Sequence, residues 1–409
     1  MKKVICAVAA FAMVAGLVTV ASAEVNLSGS ARFRAGVVDR GLLNESGHTS
    51  WDSRVRFKVD VKTEGGGYVK SRIRLLDGTW GQGGNYSPTA KGLKNVWSDY
   101  AFVGFKAGKF DIAGGKMPVG FSKWWLDDER RDRFRVLFKD GGLALAFTYD
   151  VNMYDTVVKT GAALVNDIDG NPILVDSVSL NTDATYDNLD AWGVTYLQKF
   201  SDAISAKARV VYVSDGFQSY TPAGIEWDRS GIKGSAGLDM NFGGNKISVE
   251  QSWKSGDTVG YDADSQYGGY ASWSSTFGTI TPTVLAAYTK DGFTADETFG
   301  MIMIGGDIIG IVPRLGMGGD TLYFGGSVKM QSSEKLSFQG NLAWLDIEDT
   351  MDAEGFHSAV YGENPMELSG QAKYNVGIGV DLLARLGYVK SDGYLDDAIA
   401  GYLQTEVSF

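Results

Sequence analysis

The sequence has few of the residue types that cross-link a chain, ligate metals or act as catalytic bases. Its one cysteine is Cys6, and its two histidines are His48 and His357. A single cysteine provides neither a disulfide framework nor a cysteine metal site. Neither histidine has a serine or an acid at the spacing of a catalytic motif, so both lack the partners of a hydrolytic base. We therefore expect no enzyme activity, no cofactor and no bound metal.

Proline is also scarce, and acidic residues outnumber basic ones. The chain has 7 Pro against 54 Gly, with 10 Trp, 19 Tyr and 20 Phe, which favours many strands joined by turns because proline cannot donate to a sheet ladder. The formal net charge of −11 argues against a nucleic-acid partner. After residue 23 no apolar run approaches the ~20 residues that a spanning helix needs.

The first 23 residues have the pattern of a secretory signal peptide. Lys2 and Lys3 precede an apolar run over residues 4–20, and Ala21-Ser22-Ala23 forms a small-x-small cleavage site. The run is too short for an uncleaved membrane anchor. We expect cleavage after Ala23, which removes the only cysteine, and one domain over residues 24–409.

Polar and apolar residues alternate in residues 51–62, WDSRVRFKVDVK. Successive side chains of a strand point to opposite faces, so this segment has one charged face and one largely apolar face. The charged face consists of Asp52, Arg54, Arg56, Lys58, Asp60 and Lys62, and the other of Trp51, Ser53, Val55, Phe57, Val59 and Val61. Similar alternation occurs in residues 25–38 and 68–75. The apolar faces require a covering, and the charged faces require water.

Short turns and long polar loops alternate along the whole chain. Turns fall at positions such as Asp140-Gly141-Gly142, and long loops at roughly 117–132, 150–189, 215–229, 255–266, 291–319, 347–364 and 390–397. Alternating segments of ~10 residues separated in this way indicate an outer-membrane barrel. We therefore predict an all-β fold: a transmembrane antiparallel β-barrel of 18 strands, with 16 as the runner-up, short periplasmic turns and long extracellular loops. The rival interpretation is a soluble, secreted β-rich binding protein, since alternation also fits a sandwich.

The segment SDYAFVGFKAGKFDIAGGKMPVGFSKWW, residues 98–125, resembles the fourth and fifth strands of the Gram-negative general (diffusion) porins. The basic position that closes their second strand motif is Lys116 here instead of arginine. The chain also ends on an alternating strand with Phe409, as final strands of that family commonly do. The resemblance covers residues 25–150 and the last strand, whereas the middle of the chain matches in rhythm only. The family has 16 strands, fewer than the 18 counted here.

The resemblance implies a constriction inside the barrel. In that family the third extracellular loop folds inward and presents carboxylates to a basic cluster on the opposite wall. The matching loop here contains the acidic residues Asp127, Asp128 and Glu129, followed by Arg130, Arg131 and Asp132. The candidate basic cluster consists of Arg32, Arg34, Arg54, Arg56, Arg72, Arg74, Arg133 and Arg135. Ordinary solvated loop and lumen residues are the alternative for both sets. Phe409 is the candidate signal for the barrel assembly machinery.

The expected function is passive diffusion of small hydrophilic solutes and ions across the outer membrane of a Gram-negative bacterium. The resemblance also implies a homotrimer in contact with lipid and lipopolysaccharide. A substrate-selective anion or phosphate channel is a second possibility, because the planar guanidinium of arginine pairs with such groups bidentately. Against it stand carboxylates expected in the long loops, among them Asp150, which would attract cations to the mouth. For the apolar segment Met301–Ile304 three placements are open: over the mouth, against a neighbouring subunit, or in a short extra strand.

Overall fold

The computed structural model describes residues 23–39, 48–80, 97–125, 129–151, 163–166, 172–175, 189–215, 219–220, 226–227, 230–255, 265–296, 299–304, 314–316, 320–348, 364–391 and 397–409. Apart from Ala23, the expected signal peptide lies outside these residues. Within them there is no helix long and apolar enough to cross a membrane.

Most of the described chain forms one 18-stranded antiparallel sheet. Its strands are β1 (Ala23–Asp39), β2 (His48–Thr63), β3 (Gly67–Trp80), β4 (Trp97–Ala107), β5 (Phe110–Val119), β6 (Glu129–Asp140), β7 (Leu143–Val151), β10 (Leu189–Lys199), β11 (Ile204–Asp215), β14 (Gly231–Phe242), β15 (Asn245–Lys254), β16 (Gln266–Ser275), β17 (Ile280–Lys290), β18 (Asp320–Gln331), β19 (Leu336–Glu348), β20 (Met366–Gly377), β21 (Val380–Lys390) and β22 (Ala398–Ser408). Two small hairpins lie in the connections, β8 (Ala163–Asn166) with β9 (Pro172–Val175) and β12 (Ser219–Tyr220) with β13 (Glu226–Trp227).

Each strand of the large sheet pairs with the next one along the chain, and β22 pairs with β1. The sheet is therefore a closed barrel, in which no strand edge is left unpaired. The prediction of 18 strands is confirmed, and the runner-up of 16 is wrong.

The two ends of the barrel differ in the length of their connections. At one end, the turn end, tight turns join the strands, as at Asp140-Gly141-Gly142, where Gly141 has a φ of 55°. A positive φ of this kind favours glycine, because glycine lacks the Cβ that makes this region costly. At the other end, the loop end, the connections are long. Several bounds expected from the sequence agree with the structure, and residues 245–254 match β15 at both ends.

The alternation of the sequence separates the inner and outer faces of the wall. The charged parity of β2 faces inward, since Asp52 binds Arg32 and Arg34 of the neighbouring β1 inside the barrel. The other parity forms an exposed apolar outer face, which includes Leu27, Val194, Val284, Leu342, Leu386 and Leu403. Trp51 lies on this outer face near the loop end and packs against Phe33, with ring centroids 5.6 Å apart.

The barrel closes between β1 and β22, and Phe409 extends this pairing beyond the last strand. Its carbonyl accepts a 2.7 Å hydrogen bond from the N–H of Gly29, and its own N–H donates to the Gly29 carbonyl at 3.1 Å. Its ring lies over Gly29, so that a Cβ added at Gly29 would be 2.6 Å from Phe409 Cζ. The Phe409 side chain is otherwise exposed on the outside of the barrel.

Candidate functional site

The eight predicted arginines lie on inward positions of four strands. Ladder pairs place Arg32 opposite Arg54 and Arg56 opposite Arg74, while Arg72 lies opposite Lys58. Arg133 and Arg135 occupy alternate positions of β6 and reach carboxylates on the neighbouring strands. The structure therefore gathers these residues on one wall of the lumen, formed by β1, β2, β3 and β6. Like charges directly opposite each other repel, so the wall requires water or carboxylates between them.

Carboxylates interleave with the arginines on this wall. Asp52 accepts hydrogen bonds from Arg34 Nε at 2.5 Å and from Arg32 Nη2 at 3.0 Å. Asp150 forms a bidentate pair with Arg133, with N···O distances of 2.5 and 2.7 Å. The bidentate geometry matches the fork of the guanidinium group. Asp150 was expected in a solvated outer loop; it is instead a buried residue of β7, because β7 continues to Val151.

Asp99 is a functional candidate that the sequence analysis missed. Arg72 lies opposite Tyr100 and Ile73 opposite Ser98, so Asp99 is the extra residue of a β-bulge in β4. The bulge directs its carboxylate to three arginines: Arg72, Arg74 at 3.0 Å and Arg130 at 3.2 Å. Its side chain is only 3% exposed. A signal was present in the sequence, because Asp99 shares its parity with Ala101, Val103 and Phe105, and an acid on an apolar face requires a break in register.

The predicted acidic loop is described only in part. Asp127 and Asp128 lie outside the described residues. Glu129 was expected in the loop, but its backbone pairs with Val119, which makes it the first residue of β6. The preceding segment 120–125 enters the barrel, where Trp124 is fully buried. Its anchor is Ser122, whose hydroxyl donates a 2.6 Å hydrogen bond to Glu250 Oε1 on β15.

Glu250 is buried in a polar cluster on the inner wall. Besides Ser122, it accepts a 2.7 Å hydrogen bond from the hydroxyl of Ser235, and its Oε2 lies 2.7 Å from Lys207 Nζ. The aromatic ring of Phe121 lies 5.4 Å from the same ammonium group. These contacts hold the connection after β5 against the wall formed by β11, β14 and β15.

A second connection also enters the barrel, between β17 and β18. Its residue Phe293 stacks on Trp124 with centroids 5.6 Å apart, and Phe299 meets the same indole edge-on at 4.5 Å. The N–H of Asp296 donates a 2.9 Å hydrogen bond to the Trp124 carbonyl. The two inward segments therefore contact each other through both backbone and rings. The apolar segment Met301–Ile304 lies inside the barrel in the same apolar cluster as these rings, whereas it was expected over the mouth, against a neighbouring subunit or in a short extra strand.

Glycines in the wall provide room for these segments. A Cβ on Gly268 of β16 would lie 2.7 Å from Phe293 Cε1 and 2.9 Å from Trp124 Cζ2, and one on Gly325 of β18 would lie 2.6 Å from Met301 Cε. Contacts this short do not occur for real Cβ atoms. The absence of a side chain at these positions is therefore what allows the inward segments to pack against the sheet.

The described lumen thus has two unlike sides. Around the inward segments lies an apolar cluster, to which the wall contributes Tyr323, Ala343, Leu345, Val389, Ala400 and Tyr402. The other side carries the arginines of β1, β2, β3 and β6. Tyr402 lies at the boundary between the two sides. The Cζ atoms of Arg34 and Arg385 are 5.1 and 5.5 Å from the centroid of its ring. Among the described residues, no cluster of His, Cys, Asp and Glu has the geometry of a metal site.

A closed antiparallel barrel with an apolar outer face and a charged interior has the architecture of membrane-spanning β-barrels, because closure satisfies every backbone donor and acceptor of the sheet. Solved structures of Pseudomonas aeruginosa proteins share this fold. OpdO matches with a TM-score of 0.62 at 12% identity, covering 94% of this chain and 97% of that one. The outer membrane protein OpdK matches with a TM-score of 0.62 at 11% identity, covering 94% and 98%. OccK8 (OprE) matches with a TM-score of 0.61 at 10% identity, covering 94% and 98%.

No protein-family model and no curated protein sequence matches the chain. At 10–12% identity, the likeness to the solved structures is one of fold.

Proposed function

We propose that this protein is an outer-membrane porin, a channel through which small hydrophilic solutes and ions diffuse passively. The observation that carries the proposal is the pairing of a closed barrel with two opposite faces: an exposed apolar exterior and an interior lined with charged side chains. In water the exterior would be an unfavourable apolar surface, whereas in lipid it is matched to its surroundings. The charged interior requires water, and a hydrated lumen is a path for polar solutes.

The location and partners belong to the same proposal. OpdK, which shares the fold, is described as an outer membrane protein. The signal-peptide pattern of residues 1–23 and the terminal Phe409 agree with export and assembly into that membrane. Membership of the general diffusion porins, a homotrimeric state, and contacts with lipopolysaccharide and the assembly machinery rest on the sequence resemblance.

A second candidate function is a channel selective for anions or phosphate. The specific observation in its favour is the cluster around Asp99, where Arg72, Arg74 and Arg130 contact a single carboxylate. Three guanidinium groups around one carboxylate leave an excess of positive charge, which lowers the energy of an anion in the lumen.

Planar-bilayer recording tests both candidates. The proposed porin should form steady ion-conducting channels, and its reversal potential in a salt gradient reports the sign of its selectivity. Replacement of Arg54, Arg56 and Arg72 by alanine should reduce any anion preference. The matched control is Lys199→Ala, which removes a positive charge at an exposed turn. Absence of conductance would contradict both functions, and a barrel that stays soluble without detergent would support the secreted binding protein instead.

A further inference from the structure

The side chain of Glu367 is a buried carboxylate on the inner face of β20, fully inaccessible to solvent. Three successive backbone N–H groups of the connection between β17 and β18 converge on it. Ile302 donates to Oε1 at 3.0 Å, while Met303 and Ile304 donate to Oε2 at 3.0 and 2.7 Å. The hydroxyl of Ser369 supplies a further hydrogen bond to Oε1. Convergent N–H groups of this kind form an anion-binding concavity, here filled by a side chain of the same protein.

These backbone contacts are the main compensation for burying the charge. Among the described residues, neither lysine nor arginine forms an ion pair with Glu367. Burial of a carboxylate without partners is expensive, and hydrogen bonds to a charged acceptor are stronger than neutral ones. The charge of Glu367 and the position of segment 299–304 are therefore coupled: if the segment left the wall, the carboxylate would lose three of its four donors.

The side chains of the segment reinforce the same position. Met303 and Ile304 are fully buried, and Met303 packs where a Cβ on Gly387 of β21 would lie 2.7 Å from its Cγ. Met301 occupies the space left by Gly325. The segment turns back on itself through a 2.9 Å hydrogen bond from the N–H of Met301 to the carbonyl of Ile304. The wall thus holds this compact turn in two ways. Glu367 binds the backbone of the turn, and the spaces at Gly387 and Gly325 hold its side chains.

The segment also supports the other inward connection. Phe299, at its start, packs edge-on against Trp124, and Trp124 lies in the connection after β5. A displacement of segment 299–304 would therefore remove one wall of the Trp124 pocket. Glu367 lies on β20, three strands from β1 of the arginine wall, and through the segment it supports the aromatic contact that both inward connections share.

We propose that Glu367 is the positioning residue that holds segment 299–304 inside the barrel and thereby sets the open cross-section of the channel. The part of this inference that concerns the cross-section rests on the proposed channel function. The part that concerns the position of the segment does not, so the two can be tested separately.

The first test follows the position of the segment. In the chain without its signal peptide, Met303→Cys introduces the only cysteine, at a fully buried position. We expect slow reaction with a water-soluble maleimide when Glu367 is present. With Glu367→Gln the reaction should be about tenfold faster or more, because the amide nitrogen cannot accept hydrogen bonds from the backbone N–H groups. Asp239→Asn is the matched control, because Asp239 binds Ser248 on the wall itself. Equal labelling rates with and without the Glu367→Gln substitution would overturn the proposal.

The second test follows the cross-section. Glu367→Gln should raise single-channel conductance, by about 1.5-fold or more, if the segment leaves the lumen. Met303→Cys combined with Gly387→Cys places two thiols where the Met303 side chain now contacts β21. In the Glu367→Gln background, the disulfide between them should return the conductance to the wild-type value. Reduction should raise it again. If this disulfide variant had the same conductance in its oxidised and reduced forms, the proposal that the segment sets the open cross-section would be contradicted. Absence of conductance from every variant, wild type included, would contradict the channel function, while the labelling rates would still decide the role of Glu367.

Discussion

The hydroxyl of Ser122 donates a 2.6 Å hydrogen bond to Glu250 Oε1, although the two residues are 128 positions apart in the chain. Ser122 follows β5, and Glu250 lies on β15, the sixth strand further round the barrel through β6, β7, β10, β11 and β14. The bond therefore fastens a connection across part of the lumen. Ser122 Oγ also accepts a 3.1 Å hydrogen bond from the N–H of Trp125, which closes a turn at the same point.

Ser122→Ala should loosen this connection without unfolding the barrel. The change removes a hydrogen bond to a buried carboxylate, worth about 2 kcal/mol, and leaves the 18-stranded ladder intact. We expect faster cleavage by chymotrypsin after Trp124 or Trp125, with unchanged heat-modifiable mobility of the barrel on gels. Ser201→Ala is the control, since Ser201 also accepts backbone N–H groups, but at an exposed turn. Equal cleavage rates in both variants would show that Ser122 does not hold the connection.

Gly268 and Gly340 form a matched pair for testing how the wall accommodates the inward segments. Gly268→Ala places a methyl group within 2.7 Å of Phe293 Cε1, whereas a Cβ at Gly340 meets nothing within 4 Å. Overpacking should weaken the docking of the segments by about 1–3 kcal/mol in the first variant. The second should be neutral or stabilising by about 0.5–1 kcal/mol, because glycine is unfavourable within strands.

The measurement for this pair is the fluorescence of Trp124 in a background where the other tryptophans are replaced. We expect quenching by a water-soluble quencher to increase in Gly268→Ala alone. Similar quenching in the Gly268 and Gly340 variants would contradict the close approach at Gly268.

The charge of Asp99 should tune ion selectivity. Asp99→Asn leaves Arg72, Arg74 and Arg130 without their shared carboxylate, so the local charge rises by one unit. We expect the anion-to-cation permeability ratio to increase by about twofold or more, as read from reversal potentials at low salt. Asp140→Asn makes the same chemical change at an exposed turn, where Asp140 binds Lys109, and should have little effect. A shift toward cations in Asp99→Asn would exclude a selective role for the cluster.

The sequence predicts the strands of the barrel wall much better than the segments that fold into the lumen. Inner and outer faces follow from the period-two alternation, which is local. The alternation places the arginines of β1, β2, β3 and β6 on the inner face, where the structure also has them, while their role in selectivity stays a prediction. The positions of the segments inside the lumen depend on contacts between parts of the chain that are distant in sequence. The three backbone hydrogen bonds to Glu367 join positions more than 60 apart. A glycine such as Gly268 shows its importance only when the ring that packs against it is known. Asp99 was recognisable in principle, as an acid on the outward parity of β4, but its three partners were not.

Phe409 lies at the junction of β1 and β22, and its substitution can distinguish a role in assembly from a role in stability. Its backbone makes two hydrogen bonds to Gly29, at 2.7 and 3.1 Å, which a change of side chain retains. Phe409 is 63% exposed, so removal of its ring uncovers little of the surface that is buried in the folded barrel. We therefore expect Phe409→Ala to leave the thermal stability of the folded barrel nearly unchanged and to reduce the amount that reaches the membrane, as a recognition signal would.

The control for this change is Phe277→Ala, because Phe277 is 61% exposed at a turn on the same end of the barrel. The measurement is the yield of heat-modifiable barrel in membranes, followed by thermal denaturation of the purified product. A loss of yield in Phe409→Ala but not in Phe277→Ala, with equal denaturation temperatures, supports a role in assembly. A lower denaturation temperature in Phe409→Ala would mean instead that the ring stabilises the junction of β1 and β22 by packing over Gly29.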